Sequence, residues 1–301
     1  MDENAYSRSA AEALTTETML KRVADYLIRL QTANRLAAGL ARAAAVRAGR
    51  RVDPKDPGSW EFSAFSQNGE DGIIDYLVEN LHQRNRYFIE IGVEDGLECN
   101  GAWLAIARKF SGLMVEGNPR KYQRLSTIYS QVALGVQCIS AFITRENAAS
   151  VLKPALFRDP DVCSVDVDGN DFYIAASILN SGIRPKIFVV EYNSAFGPND
   201  AVTIEYREDF NFQSAHPTQL YFGVSVSGWR KFFAQHGYSF VTVDSNGVNA
   251  FFVQPNCFDE GFLSQIQGYP FKENFYQLKK FKQPWAEQLK KIEGKKFVAI
   301  P

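Results

Sequence analysis

The sequence predicts an open α/β fold: a mostly parallel sheet of seven strands with an antiparallel C-terminal hairpin, preceded by a helical arm. Two segments, Tyr87–Gly96 (YFIEIGVEDG) and Gly112–Pro119 (GLMVEGNP), run from apolar residues into an acid and a glycine loop. Buried parallel strands that end at a ligand-binding edge have this pattern. Apolar strands then alternate with helical stretches, which indicates crossover helices on both faces of the sheet. The dipeptide Asn246-Gly247 predicts the closing hairpin.

The elements follow in chain order from this alternation. A helix over Ile73–Leu81 is expected before the first strand. Strands are expected at 87–91, 113–116, 134–139, Val162–Val167, Ile187–Tyr192, Ser239–Val243 and Ala250–Val253. Helices are expected at about 98–110, 119–130, 145–157, 170–181 and 226–236.

The N-terminal region differs from the rest of the chain. Residues 10–48 are rich in Ala, Leu and Arg and place apolar residues at helical spacing, whereas Gly49–Ser59 has the Pro and Gly content of a linker. We therefore divide the chain into an arm and linker (1–60), an α/β domain (61–255) and a C-terminal extension packed on the core (256–301). The arm is expected to lie outside the core. It could pack back on its own domain or form a homo-oligomer or partner contact, and both alternatives stay open.

Composition excludes several classes of protein. With 46% hydrophobic and 13% aromatic residues among 301, the chain has ample material for a core. The 33 basic and 34 acidic residues nearly balance, so no global field directs the protein to nucleic acid or to an anionic membrane. We expect no membrane span and, without a secretory signal, a cytoplasmic location. The four cysteines form no CxxC pair and are expected to be reduced thiols: Cys99, Cys138, Cys163 and Cys257.

The two strands that end in acids predict a cofactor site. Carboxyl ends of parallel strands share one edge of a sheet, so Glu90 and Glu116 are expected on the same side. The glycines that follow allow a ligand to lie against bare backbone. Together these features indicate a cofactor that carries a nucleoside, with Glu116 placed for two ribose hydroxyls.

Six motifs follow one another along the chain: FSQNGED (Phe65–Asp71), FIEIGVEDG (Phe88–Gly96), VEGNP (Val115–Pro119), DVDGND (Asp166–Asp171), EYNSAFGP (Glu191–Pro198) and G-Y-x-x-V…N-A-F-F-V (Gly237–Val253). In this order they resemble class I S-adenosylmethionine-dependent methyltransferases, and more narrowly the FkbM-like sugar and macrolide O-methyltransferases. The resemblance covers about residues 65–255. It implies a Rossmann-like fold and S-adenosylmethionine as the methyl donor.

The first glycine loop departs from the G-x-G-x-G form that is usual in these enzymes, because it holds only Gly92 and Gly96. The loop is also acidic. Carboxylates repel a pyrophosphate but suit a cationic sulfonium, so the charge favours S-adenosylmethionine over NAD. The residues expected to bind the cofactor are Gln67, Glu90, Gly92, Asp95, Gly96, Glu116 and Asn118.

A second acidic group follows the fourth and fifth strands. Asp166 and Asp168 lie at the carboxyl end of one strand; Glu191 ends the next strand, and Asn193 follows two residues later. Adjacent strand ends lie close together, and hard oxygen ligands suit Mg²⁺ or Mn²⁺. Similar O-methyltransferases use such a metal to bind two vicinal hydroxyls of the acceptor. The alternative is that Asp168 and Asp171 cap the following helix without a metal.

The base that would take the acceptor's proton is either Asp166 or a histidine. His216 lies in the long connection 194–223, which is expected to overhang the site and is rich in aromatic residues. We expect an S-adenosylmethionine-dependent O-methyltransferase acting on a small-molecule or glycan acceptor. Two alternatives remain: a non-catalytic assembly protein on the same fold, and another nucleotide-dependent enzyme.

Overall fold

The computed structural model describes residues 3–301, with residues 3–17, 21, 24 and 25 described as helical backbone only. Seven strands form its main sheet: β1 Tyr87–Ile91, β2 Ser111–Glu116, β3 Val136–Ser140, β4 Val162–Val165, β5 Ile187–Glu191, β7 Ser239–Val243 and β8 Asn249–Val253. Their order in the sheet is β3-β2-β1-β4-β5-β8-β7. Strands β1 to β5 are parallel, and β8 is antiparallel to both of its neighbours. This arrangement confirms the predicted Rossmann-like fold with its antiparallel hairpin.

Helices cover both faces of the sheet. They are α1 Glu3–Gly49, α2 Glu70–Glu79, α3 Pro119–Val132, α4 Ala148–Val151, α5 Asp171–Asn180, α6 Phe212–Ala215, α7 Val226–Gln235, α8 Glu260–Gln265, α9 Phe275–Phe281 and α10 Trp285–Lys290. Side chains alternate along each strand, so Phe88 packs with α2 and α3 while Ile89 packs with α5 and α7. No helix among the described residues is both long and apolar enough to cross a membrane.

Two of the predicted helices are much shorter than expected. Residues 98–110 form only a five-residue π-helix, Trp103–Ala107, because the N–H groups of Asn100 and Gly101 donate to the Glu90 carboxylate instead. The helix expected over 145–157 is reduced to α4, Ala148–Val151. Pro154 follows closely, and a proline disfavours helical backbone at the residue before it.

A second, two-stranded sheet was missed by the sequence analysis. Strand β6, Val202–Ile204, pairs antiparallel with β9, Phe297–Ala299. Ile300 then enters the core beside α7. The last residues of the chain are thus held against the connection that follows β5.

The C-terminal part of α1 packs on the domain, which corrects the expectation that residues 10–48 lie outside the core. Ala43 is 1% exposed within the core that α2 and α3 share. Gly39 lies so close to the domain that an added Cβ would come within 2.6 Å of the Ala64 carbonyl oxygen. The segment 49–59 is also packed, since Trp60 Nε1 donates to the Asp53 carbonyl oxygen at 2.6 Å. Described side chains between 18 and 30, in contrast, are exposed.

Candidate functional site

A cleft of about 710 Å³ opens at the carboxyl ends of β1, β2, β4 and β5. It also reaches the first residue of β8, because the antiparallel register sets Asn249 opposite Glu191. Most residues predicted for the cofactor and the metal line this cleft: Gln67, Glu90, Gly92, Glu116, Asn118, Asp166, Asp168 and Glu191. The fold thus brings together side chains that are far apart in the sequence.

Gly92 marks the closest backbone contact at the floor of the cleft. Its φ is +83°, and a Cβ placed there would lie 1.6 Å from the Asp166 carbonyl oxygen. Any larger residue would have to push β1 and β4 apart at the point where both strands end. The glycine therefore allows the ends of β1 and β4 to pack directly against each other beside the cleft.

Glu116 closes one side of the cleft at the end of β2. Its carboxylate is held by two backbone donors, Glu94 N at 2.8 Å and Asn118 N at 2.7 Å. Asn118 in turn caps α3, accepting from Arg120 N at 2.9 Å. A carboxylate can accept about four hydrogen bonds, so Glu116 retains capacity for a ligand while its orientation is set.

Glu90 is buried more deeply than Glu116. Its two oxygens accept from Asn100 N and Gly101 N, both at 2.7 Å. Burial raises the pKa of Glu90 to about 7, although these two donors act in the opposite direction. Glu90 therefore shapes the segment that follows the loop as well as lining the cleft.

Three carboxylates meet on the other side of the cleft. Oxygen atoms of Asp166, Asp168 and Glu191 all lie within 4.8 Å of one another. Oε2 of Glu191 is buried and has no hydrogen-bond partner. Burial, followed by repulsion from neighbouring acids, raises the pKa values of Asp166 and Glu191 well above their usual range.

Asp171 does not belong to this cluster. It holds the turn before α5, accepting from Val167 N at 2.9 Å and Gly169 N at 2.8 Å. Asp168 has a left-handed backbone, with φ of +55°, in the same turn. The cap interpretation therefore applies to Asp171, whose carboxylate orders the turn, while Asp168 remains beside Asp166.

Four predicted residues lie outside the cleft lining. Asn193 has its amide bonded to the carbonyl oxygens of Leu220 and Phe222, at 2.7 and 2.9 Å, so the structure does not bring it to the carboxylates. His216 is not among the residues that line the cleft, and its Nδ1 shares a 2.7 Å hydrogen bond with Thr218 Oγ1. Sequence order alone suggests both roles, because each residue follows a strand or lies in the overhanging connection.

Asp95 and Gly96 support the first loop instead of facing the cleft. Asp95 accepts from Arg35 at 3.1 Å, and Glu98 accepts from the same guanidinium at 3.0 Å. The Gly96 carbonyl oxygen accepts from the Tyr129 hydroxyl at 2.8 Å. These contacts tie the loop to α1 on one side and to α3 on the other.

The sequence analysis missed a polar corner of the cleft, formed by Asn68, Asn249, Asn274 and Tyr276. Asn249 is 4% exposed, and its Nδ2 donates to Glu70 at 2.7 Å while its Oδ1 is buried without a partner. The Tyr276 hydroxyl donates to Asn68 at 3.3 Å. The feature of the sequence that could have indicated this corner is Asn249, the polar residue at the start of β8 in the motif N-A-F-F-V.

A scan of family models and a search of curated proteins find no match to the chain. Solved structures of methyltransferases are similar at low identity. The O-methyltransferase TomG from Streptomyces achromogenes, in complex with S-adenosylmethionine, is 17% identical over 63% of this chain and 80% of its own, with a TM-score of 0.41. The O-methyltransferase from Bacillus cereus, in complex with S-adenosylhomocysteine, is 16% identical over 73% and 89%, with a TM-score of 0.39.

The METTL16 methyltransferase domain is 11% identical over 40% of this chain, with a TM-score of 0.31. The chain spans about half, 49%, of the length of that domain. The fold assignment rests on the strand order and on the position of the antiparallel strand, not on these identities.

Proposed function

We propose that the protein is an S-adenosylmethionine-dependent O-methyltransferase that acts on a sugar, polysaccharide or polyhydroxylated metabolite with the help of a divalent metal. One observation carries this proposal. A single cleft holds an oriented acid over a bare glycine floor on one side and three crowded carboxylates on the other. The first half suits a nucleoside-bearing donor, and the second suits activation of a hydroxyl.

Glu116 and the first loop would bind the methyl donor. Glu116 would accept the two ribose hydroxyls with the lone pairs that Glu94 N and Asn118 N leave open. Gly92 would leave room for the methionine part beside the acidic side chains of Glu90 and Glu94. The cofactor supplies a methyl group on a cationic sulfur, and the protein's contribution is to align it with the acceptor oxygen.

The polar corner would bind the molecule that receives the methyl group. The Asn249 Oδ1 atom has no hydrogen-bond donor. A hydroxyl of the substrate that receives the methyl group would donate a hydrogen bond to it. Asn68, Asn274 and Tyr276 add further amide and hydroxyl groups around it. Such a density of short polar side chains favours a polyhydroxylated acceptor over an apolar one.

The three carboxylates would bind the metal. Their mutual repulsion and the unpartnered Glu191 Oε2 fit a hard divalent cation, which Asp166, Asp168 and Glu191 would hold. A bound Mg²⁺ or Mn²⁺ would offset the negative charge and lower the pKa of an acceptor hydroxyl. Asp166, which is half-buried and has its carbonyl oxygen against Gly92, is the residue we propose to receive that proton.

Calorimetry tests the donor. The protein is titrated separately with S-adenosylmethionine, S-adenosylhomocysteine and NAD. Binding of the first two without NAD supports the proposal. Binding of NAD alone favours another nucleotide-dependent enzyme, and binding of none favours a non-catalytic assembly protein that works through α1.

A further inference from the structure

Helix α1 has two faces with different roles. Its docking face carries Leu36, Gly39 and Ala43, which pack against the domain. The opposite face lies about half a turn away, since an α-helix advances by roughly 100° per residue. Over the described residues from 18 to 30, every side chain is exposed.

The exposed face follows a seven-residue repeat. Taking Leu20 as position a, the a and d positions hold Leu20, Val23, Leu27, Leu30, Asn34, Ala37, Ala41 and Ala44. We call these eight residues the heptad face. Leu20 is 64% exposed and Leu27 is 50% exposed, whereas leucine side chains are usually buried in folded proteins. A sustained a/d repeat is the pattern that a second helix covers.

Charge on α1 is arranged for a partner of the same sequence. Its arginines between 18 and 45 occupy outer positions of the repeat: Arg22 and Arg29 at c, Arg35 and Arg42 at b. The heptad face itself carries no charge, so two copies can approach along it without repulsion between like charges. Its single polar member is Asn34 at an a position, the arrangement that favours paired, parallel helices in register.

We propose that two copies of this chain associate through the heptad face as a parallel two-stranded coiled coil. A parallel pair is sterically open over residues 20–30, where the described side chains are exposed, and Asn34 borders a pocket that α1 shares with the domain. The two Asn34 amides then meet across the interface and set the register. The alanines at 37, 41 and 44 allow the two helices to approach closely near the domains.

A pair of neighbouring substitutions tests this surface. Leu27→Asp places a charge on the heptad face, and Ile28→Asp places the same charge at position b, where Ile28 is 37% exposed. Light scattering on the full chain should give twice the monomer mass of 33.8 kDa for the wild type and for Ile28→Asp. Leu27→Asp should weaken association by roughly 10-fold or more, since a buried a position does not tolerate a charge.

Orientation is tested by a cysteine at a d position. Under oxidising conditions, Val23→Cys should form a disulfide between identical residues of two parallel chains, which the wild type does not form. Asn34→Leu should tighten association and allow larger assemblies. A monomeric wild type, equal effects of Leu27→Asp and Ile28→Asp, or no cross-link at residue 23 would overturn the proposal. Binding of S-adenosylmethionine by Leu27→Asp separates this outcome from failure of the proposed enzymatic function.

Discussion

Glu116 is the residue on which the cofactor proposal depends most directly. Glu116→Ala should weaken S-adenosylmethionine binding by roughly 1.5–3 kcal/mol, or about 10- to 100-fold, because charge-assisted hydrogen bonds to the ribose are lost. Calorimetry measures the change. Glu287→Ala, which removes an acid distant from the cleft, is the control and should bind normally. Equal affinity of Glu116→Ala and the wild type, with circular dichroism unchanged, would remove Glu116 from the site.

Asp166 is the residue on which the metal proposal depends. Activity on the acceptor should disappear in EDTA and return with Mg²⁺ or Mn²⁺, because three ionised carboxylates need a cation to remain together. Asp166→Asn should lower activity at least 10-fold and weaken binding of the metal itself, measured by calorimetry with Mn²⁺ alone. Asp209→Asn, at an exposed site, should change neither. Full activity in EDTA would exclude the metal and leave Asp166 to act as a base without it.

At the scale of single residues, the sequence is informative where a role follows from local order. Glu116 ends β2 and Asp166 directly follows β4, so their place at the cleft could be predicted. Asn193 also follows a strand, but its amide is bonded to the carbonyl oxygens of Leu220 and Phe222. The sequence shows no sign of that contact, because it depends on how the connection after β5 folds back.

Helix α1 is the element with a divided role, since its C-terminal part docks on the domain and its described side chains between 18 and 30 are exposed. Deleting residues 1–30 should change the free energy of unfolding by less than about 1 kcal/mol relative to the full chain, because the described side chains that are removed are exposed. Deleting residues 1–55 should lower it by several kcal/mol, because Leu36, Gly39 and Ala43 leave the core. Urea unfolding compares the two chains at sub-micromolar concentration, where self-association contributes least.

Equal stability of the two truncated chains would contradict this division of α1. The longer deletion should also disturb the cofactor site. Arg35 bonds Asp95 and Glu98 of the first loop, so a chain without residues 1–55 loses a support of that loop. We expect its affinity for S-adenosylmethionine to fall, whereas the chain without residues 1–30 should bind as the full chain does.

For the whole molecule, Asp71 links stability to pH. Its Oδ2 accepts from the N–H groups of Ala64, Phe65 and Ser66, yet burial raises its pKa from 3.8 to about 7. The unfolded chain therefore releases this proton at a lower pH than the folded one. The contribution of Asp71 to the stability of the folded state is greatest below pH 4 and declines as the pH rises to about 7.

Asp71→Asn should remove this dependence. Between pH 4 and 7, the free energy of unfolding of the variant should rise relative to that of the wild type by about 1.4 kcal/mol per pH unit. Urea unfolding at several pH values measures this difference. Asp209→Asn, which alters an exposed aspartate, should run parallel to the wild type. A constant difference between Asp71→Asn and the wild type across this range would show that the pKa of Asp71 is not raised.

The sequence by itself determined the seven strands, their alternation with helices, the closing hairpin and the acids at the ends of β1, β2, β4 and β5. These features are local: a run of apolar residues, with an acid, glycine or proline near its end in most cases, identifies them without reference to distant parts of the chain. The helical spacing of Leu20, Val23, Leu27 and Leu30 in α1 is local as well, since each lies about one turn from the next.

Only the tertiary structure decided which of these residues meet. Asn249 reaches the cleft because β8 inserts antiparallel beside β5, and Tyr276 reaches it from the C-terminal extension. The pairing of β6 with β9 and the docking of α1 likewise join segments that are distant in sequence. Such contacts form because they bury apolar area and satisfy backbone polar groups between remote segments, a balance that no short stretch of sequence contains.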